Sequence, residues 1–152
     1  MEEQTNKLNS VQVDPEQFQN LERVSCGRIL GVDYGEKNVG LAISDSEQRQ
    51  AFAYDTIKMS DKFFYELKKI CDAEEIDKIV VGLPIGMKGE FTRKTEEVVF
   101  FIGQLEEQVK IAAVTEDERL STVEGLKFSG GHGRDESAAR VILQRFLDRR
   151  AG

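Results

Sequence analysis

The chain has 152 residues, 32% of them charged and 39% hydrophobic, with a formal net charge of -7. That is one domain's worth of sequence, and its acidic balance argues against coating nucleic acid or anionic membrane by bulk charge, while leaving room for a local basic groove. The single histidine, His132, excludes a two-histidine or Cys2His2 metal site within one chain, and Cys26 and Cys71 form neither a CxxC pair nor a disulfide framework.

Residues 1–26 stand apart. They hold five acids (Glu2, Glu3, Asp14, Glu16, Glu22) against two bases (Lys7, Arg23), with sparse, aperiodic apolar residues. Such a segment offers little area to offset ordering entropy, so a flexible acidic extension is expected, with a short helix possible over 15–21 behind Asp14. The polar, acidic start is unlike a signal peptide, and no apolar run reaches membrane-span length. A soluble protein of a reducing compartment, the cytoplasm, is expected.

The texture changes at Gly27. Residues 28–34 and 39–44 are apolar runs joined by Gly35-Glu36-Lys37-Asn38, the pattern of a β-hairpin, and 52–57 is a third strand. Residues 61–73 have near-helical spacing through Phe64, Leu67, Lys68 and Cys71. Residues 78–83 read as a strand buried on both faces, ended by Pro84 and Gly86. A helix follows over 92–107, then a strand over 109–115. Ser121 and Glu124 form a capping box opening a short helix over 121–128, and a glycine-rich turn over 129–134 leads into a last helix over 135–149. The order β-β-β-α-β-α-β-α-α predicts an α/β fold. Its mixed five-stranded sheet has three antiparallel strands first and helices on both faces, in one domain over 27–152.

The acids carry the chemical signal. Asp33 closes the apolar stretch Ile29-Leu30-Gly31-Val32, Glu116-Asp117-Glu118 ends the last strand, and Asp135 begins the last helix on the stripe continued by Ala139 and Ile142. A carboxylate at the inner end of a central strand must be paired, hydrated or metal-bound. Convergent carboxylates without histidine or cysteine suit a hard divalent cation, Mg²⁺ or Mn²⁺, and two such ions together can drive phosphodiester cleavage. Each acid taken singly has a plainer reading: Asp33 as a turn residue, Asp135 as a first-turn acid on the helix dipole, and 116–118 as a solvated strand end.

Together the segments resemble a family. Gly31-Val32-Asp33-Tyr34-Gly35 with Lys37 and Gly40, Val80-Val81-Gly82-Leu83-Pro84 with Met87 and Gly89, Asp117-Glu118-Arg119-Leu120-Ser121-Thr122, and Asp135-Glu136-Ser137-Ala138-Ala139 look like the four signatures of the YqgF/RuvX family. These are bacterial proteins related to Holliday junction resolvases and named as pre-16S rRNA nucleases. The resemblance spans about 27–149 and implies an RNase H-like fold. It implies metal ligation by Asp33, Asp117, Glu118 and Asp135, with Asp33, Glu118 and Asp135 catalytic. It places Lys37 and Arg119 at substrate phosphate and a loop over 82–89 at the same edge, which Arg134, the sequence neighbour of Asp135, can also reach as a substrate-binding cation. The implied cofactor is Mg²⁺ or Mn²⁺, as two ions. The implied partners are structured RNA or a DNA junction and a pre-ribosomal particle, with no membrane, for a monomer or homodimer. Two readings compete with an RNA nuclease: a Holliday junction-type DNA endonuclease, and a non-catalytic nucleic-acid or ribosome-assembly binding module. The span from Thr122 to Asp135 is short for the family and glycine-rich where a longer basic linker is usual.

Overall fold

The structure, a computed structural model, describes residues 27–118 and 134–151, with side chains for 27–118 and 138–150. The extension expected over 1–26, and the helix and turn expected over 121–134, fall outside the described residues up to the final helix.

Five strands form one sheet: β1 (Arg28–Asp33), β2 (Asn38–Ser44), β3 (Ala51–Lys58), β4 (Ile76–Leu83) and β5 (Ala113–Asp117), in the spatial order β3-β2-β1-β4-β5. The first three are an antiparallel meander, while β4 and β5 run parallel to β1. Helices α1 (Phe63–Ala73) and α2 (Arg93–Val109) supply the crossovers, and α3 (Arg134–Ala151) closes the chain.

The pleat sorts β1 between two cores. Leu30 and Val32 face α1 and α2, joining Leu67, Phe101 and Leu105. Ile29 faces the opposite way, joining Ala139, Ile142, Leu143 and Phe146 of α3. Asp33 therefore shares the α3 face with Ile29 and Gly31, since side chains two apart on a strand point the same way.

The last strand starts four residues later than its apolar pattern predicts. Val109 looks like a strand residue in sequence, but α2 extends through it and buries it against the α1/α2 core. Lys110 then ends the helix at a left-handed φ of 64°, its N–H donating to Glu106 O at 3.0 Å. At the other end Thr92 caps α2 rather than starting it. Its Oγ1 accepts from Thr95 N at 3.2 Å, and its own N–H donates to Thr95 Oγ1 at 2.9 Å. Thr95 Oγ1 also donates to Pro84 O, which ties the start of α2 to the end of β4.

Helix α3 approaches the sheet unusually closely because two strand positions lack side chains. A Cβ on Gly31 would fall 2.7 Å from Leu143 Cβ and 3.1 Å from the Ala139 carbonyl oxygen, and one on Gly82 would fall 2.5 Å from Ile142 Cδ1. The helix runs antiparallel to β1. Ala139 lies over Gly31, Gln144 Oε1 accepts from Ala51 N at 2.8 Å, and Arg150 Nη1 donates to Gln48 Oε1 at 3.0 Å, where Gln48 in turn holds Gly27 O at the start of β1. Its first turn thus lies toward the end of β1 that carries Asp33.

Because the Gly31 obstacle includes helix backbone, Gly31→Ala should destabilise the protein by about 1–3 kcal/mol through overpacking. Gly103→Ala on α2, where a Cβ meets nothing within 4 Å, should be neutral or stabilising by up to about 1 kcal/mol through helix propensity. Urea unfolding of the two variants checks both.

Candidate active site

The parallel register brings two of the sequence-predicted acids together. Val32 pairs with Val81, so Asp33 comes beside Gly82, and on the other flank Gly82 pairs with Glu116 and Leu83 with Asp117. Glu118 follows the end of β5 and turns its carboxyl back over Gly82, where an added Cβ would lie 3.2 Å from Glu118 Oε1. There Glu118 shares a hydrogen bond with Asp33. Two residues separated by most of the domain's sequence thus meet across one glycine.

A hydrogen bond between two carboxyl groups requires one proton between them. Burial pushes the Glu118 carboxyl up from its ordinary pKa, and the charge of Asp117 pushes it further. The Asp33 hydrogen bond and the Lys94 ammonium pull the other way without restoring it. A divalent cation between these oxygens would take the place of the shared proton, so the donor set fits a hard metal. Asp33 and Glu118 are the pair that would hold it. Among the described residues no three acidic, histidine or cysteine side chains are grouped to hold an ion. The side chain of Asp135, the third acid of the sequence reading, lies outside the described residues.

The neighbouring acid does different work. Glu116 is 4% exposed and faces α3, where Arg149 hydrogen-bonds one carboxylate oxygen and Arg145 Nε lies 3.9 Å from the other. A buried carboxylate matched by two guanidiniums is a structural ion cluster. Two arginines of the last helix thus meet a buried carboxylate.

The remaining predicted residues divide as follows. Asp117 ends β5, half-buried, and acts on Glu118 through its charge. Lys37 is exposed in the turn joining β1 to β2, at the same end of the sheet as Asp33. Arg134 and Asp135 open α3, Asp135 one turn before the buried Ala139, and their side chains are outside the described residues, as is Arg119 entirely. Residues 82 and 83 belong to β4, and the loop at this edge runs over 84–92.

Sequence reasoning missed Lys94. It lies in the first turn of α2, with Nζ 5.7 Å from the centroid of the Tyr34 ring and 3.8 Å from Glu97 Oε1, and its charge reaches Glu118. Tyr34, directly after Asp33, packs on Phe101 at a centroid distance of 4.7 Å. Burial and the charges of Glu97 and Glu36 keep its phenol protonated above the ordinary tyrosine range. Nothing in the helical periodicity marks Lys94. The usable signal was that α2 follows β4, a strand bordering the site, after one loop.

The raised Glu118 pKa sets a stability trend. The folded protein holds this proton more tightly than the unfolded chain, so the Glu118 contribution is intact below the unfolded carboxyl pKa of about 4.3 and is lost as pH rises through the folded value. Glu118→Gln keeps an oxygen that can accept from Asp33 and removes the ionisation. Without divalent ions it should melt above wild type at pH 7, and the difference should shrink toward pH 4. Thermal melts across that range check the sign.

Comparison with known proteins agrees with this geometry. Residues 27–149 match the family model described as RuvX: Holliday junction resolvase. A Maridesulfovibrio salexigens protein named "Putative pre-16S rRNA nuclease" is 38% identical over 133 residues, covering 80% of this chain and 98% of that protein. A Bacillus cereus protein of the same name is 40% identical over 136 residues, covering 81% and 99%. Among solved structures, Thermus thermophilus RuvC in complex with a Holliday junction substrate superposes with a TM-score of 0.55 at 11% identity, over 82% of this chain and 96% of that one. The Fowlpox virus resolvase bound to Holliday junction DNA gives 0.51 at 10% identity, over 82% and 99%. The fold is the RNase H-like fold of these resolvases, and the chain belongs to the RuvX family.

Proposed function

We propose that this RuvX-family nuclease hydrolyses phosphodiester bonds of structured RNA with two divalent cations, Mg²⁺ or Mn²⁺, in 5′-end processing of pre-16S rRNA on a cytoplasmic pre-ribosomal particle. The observation that carries the catalytic reading is the half-buried Asp33–Glu118 carboxyl pair, which meets over Gly82. The names of relatives at 38% and 40% identity carry the choice of RNA. No described helix is long and apolar enough to cross a membrane.

In this reading Asp33 and Glu118 hold the cations from the sheet. Asp135 completes the shell from α3, whose direction over Gly31 aims its first turn at the Asp33 end. Asp117 adds negative charge beside Glu118. Bound divalent ions supply Lewis acidity to the scissile phosphate and lower the pKa of an attacking water. Lys37, Arg119 and Arg134 contact flanking phosphates. The family description, Holliday junction resolvase, favours a second substrate, the four-way DNA junction, because carboxylate–metal chemistry engages phosphate rather than sugar.

The test offers wild-type protein and Asp33→Asn both a 5′-extended 16S precursor fragment and a four-way DNA junction in Mn²⁺. Wild type should cut the RNA. Asp33→Asn should fold normally yet lose at least about a hundredfold in rate, equivalent to about 2.7 kcal/mol of transition-state stabilisation. Undiminished cleavage by Asp33→Asn would refute the site, and cutting of the junction alone would replace RNA with DNA.

A further inference from the structure

We propose that Lys94 is a phosphate ligand of this site, gripping the nucleic-acid strand beside the bond to be cut. The inference rests on the nuclease reading above. The Lys94 backbone is firmly placed, because the Thr92–Thr95 capping box and the bond from Thr95 Oγ1 to Pro84 O fix the first turn of α2 to the end of β4. Its ammonium is held more lightly. The side chain is 48% exposed, with the Tyr34 ring centroid at 5.7 Å and Glu97 Oε1 at 3.8 Å. Neither contact is a hydrogen bond, so the three N–H donors remain available to an anion.

The purely structural alternative is that Lys94 neutralises Glu97. One Glu97 oxygen is buried without a hydrogen bond, yet an ion pair of this length on a half-exposed lysine contributes little, about 0–1 kcal/mol. Placement favours substrate. Lys94 stands over the ring of Tyr34, next to Asp33 in sequence, and its charge reaches Glu118, so the ammonium lies within electrostatic reach of the carboxyl pair. A substrate phosphate at this edge would meet an ammonium that Glu97 approaches without hydrogen-bonding. A chain of net charge -7 repels nucleic acid as a whole, so binding depends on local cations of this kind.

The experiment measures the Kd of the full-length protein for a labelled RNA hairpin with single-stranded flanks, over a range of salt in Ca²⁺ buffer. It compares wild type, Lys94→Met, Lys94→Arg and Glu97→Gln, with melting temperature and Mn²⁺ binding followed alongside. Lys94→Met should weaken RNA binding about tenfold and lower the slope of log Kd against log salt by about 0.7–0.9, the share of one phosphate contact. Mn²⁺ binding should be undiminished, and the KM for cleavage should rise more than kcat falls. Lys94→Arg should restore the slope, and Glu97→Gln should leave it unchanged. An unchanged slope in Lys94→Met, or the same loss in Glu97→Gln with a matching fall in melting temperature, would overturn the assignment. The slope is read whether or not the RNA is cut, so a wild-type protein that neither binds Mn²⁺ nor cleaves would refute the nuclease reading and not the phosphate contact.

Discussion

The contact between α3 and the two side-chain-free positions of the sheet, Gly31 and Gly82, sets the rest of the molecule. It lets the helix rest directly on β1, where a Gly31 Cβ would fall an impossible 2.7 Å from Leu143 Cβ and a tight 3.1 Å from the Ala139 carbonyl. That closeness seals the second core through Ile142, Leu143 and Phe146. It also fixes the direction of α3, and so the end of the sheet at which its first turn stands. Gly82 has a second use, since the space its missing side chain leaves is where the Glu118 carboxyl lies. One packing requirement thereby shapes both the core and the acid site above it.

Charge then separates two acids only two residues apart. Glu116 and Glu118 lie toward the same face, but Glu116 meets Arg145 and Arg149 of α3, while Glu118 meets another carboxyl, with a third nearby. The first arrangement stabilises the fold by matching a buried charge. In the second, a carboxyl whose pKa is raised by burial faces further acids, an arrangement that would favour a cation, with the charge of Lys94 opposing the shift.

Much of this was legible in the sequence, for identifiable reasons. Period-two runs and glycine-containing turns marked the meander, and the doubly apolar 78–83 marked a central parallel strand. The position of Asp33 at the end of Ile29-Leu30-Gly31-Val32 identified it as an acid needing a partner. The convergence of Asp33 with Glu118 was readable from element ends, because parallel register puts the ends of β1, β4 and β5 at one edge. Three features were not readable. Val109 suits strand and helix alike, and tertiary packing assigned it to α2. The pairing of Arg145 and Arg149 with Glu116 depends on how the helix crosses the sheet. Lys94 was hidden in an ordinary amphipathic helix, since its importance comes from the Thr95–Pro84 tie and from Tyr34, contacts without a linear signature.

The central claim is that sheet and last helix together build one cation site. A crystal structure of the protein soaked in Mn²⁺, with the metal located by anomalous scattering, tests it most directly. The account predicts Mn²⁺ bound jointly by the carboxylates of Asp33, Glu118 and Asp135, with the Asp33–Glu118 hydrogen bond replaced by metal–oxygen bonds of about 2.0–2.2 Å. A structure in which millimolar Mn²⁺ leaves the Asp33–Glu118 pair hydrogen-bonded and metal-free, or which sets the Asp135 carboxylate away from it, would contradict the account.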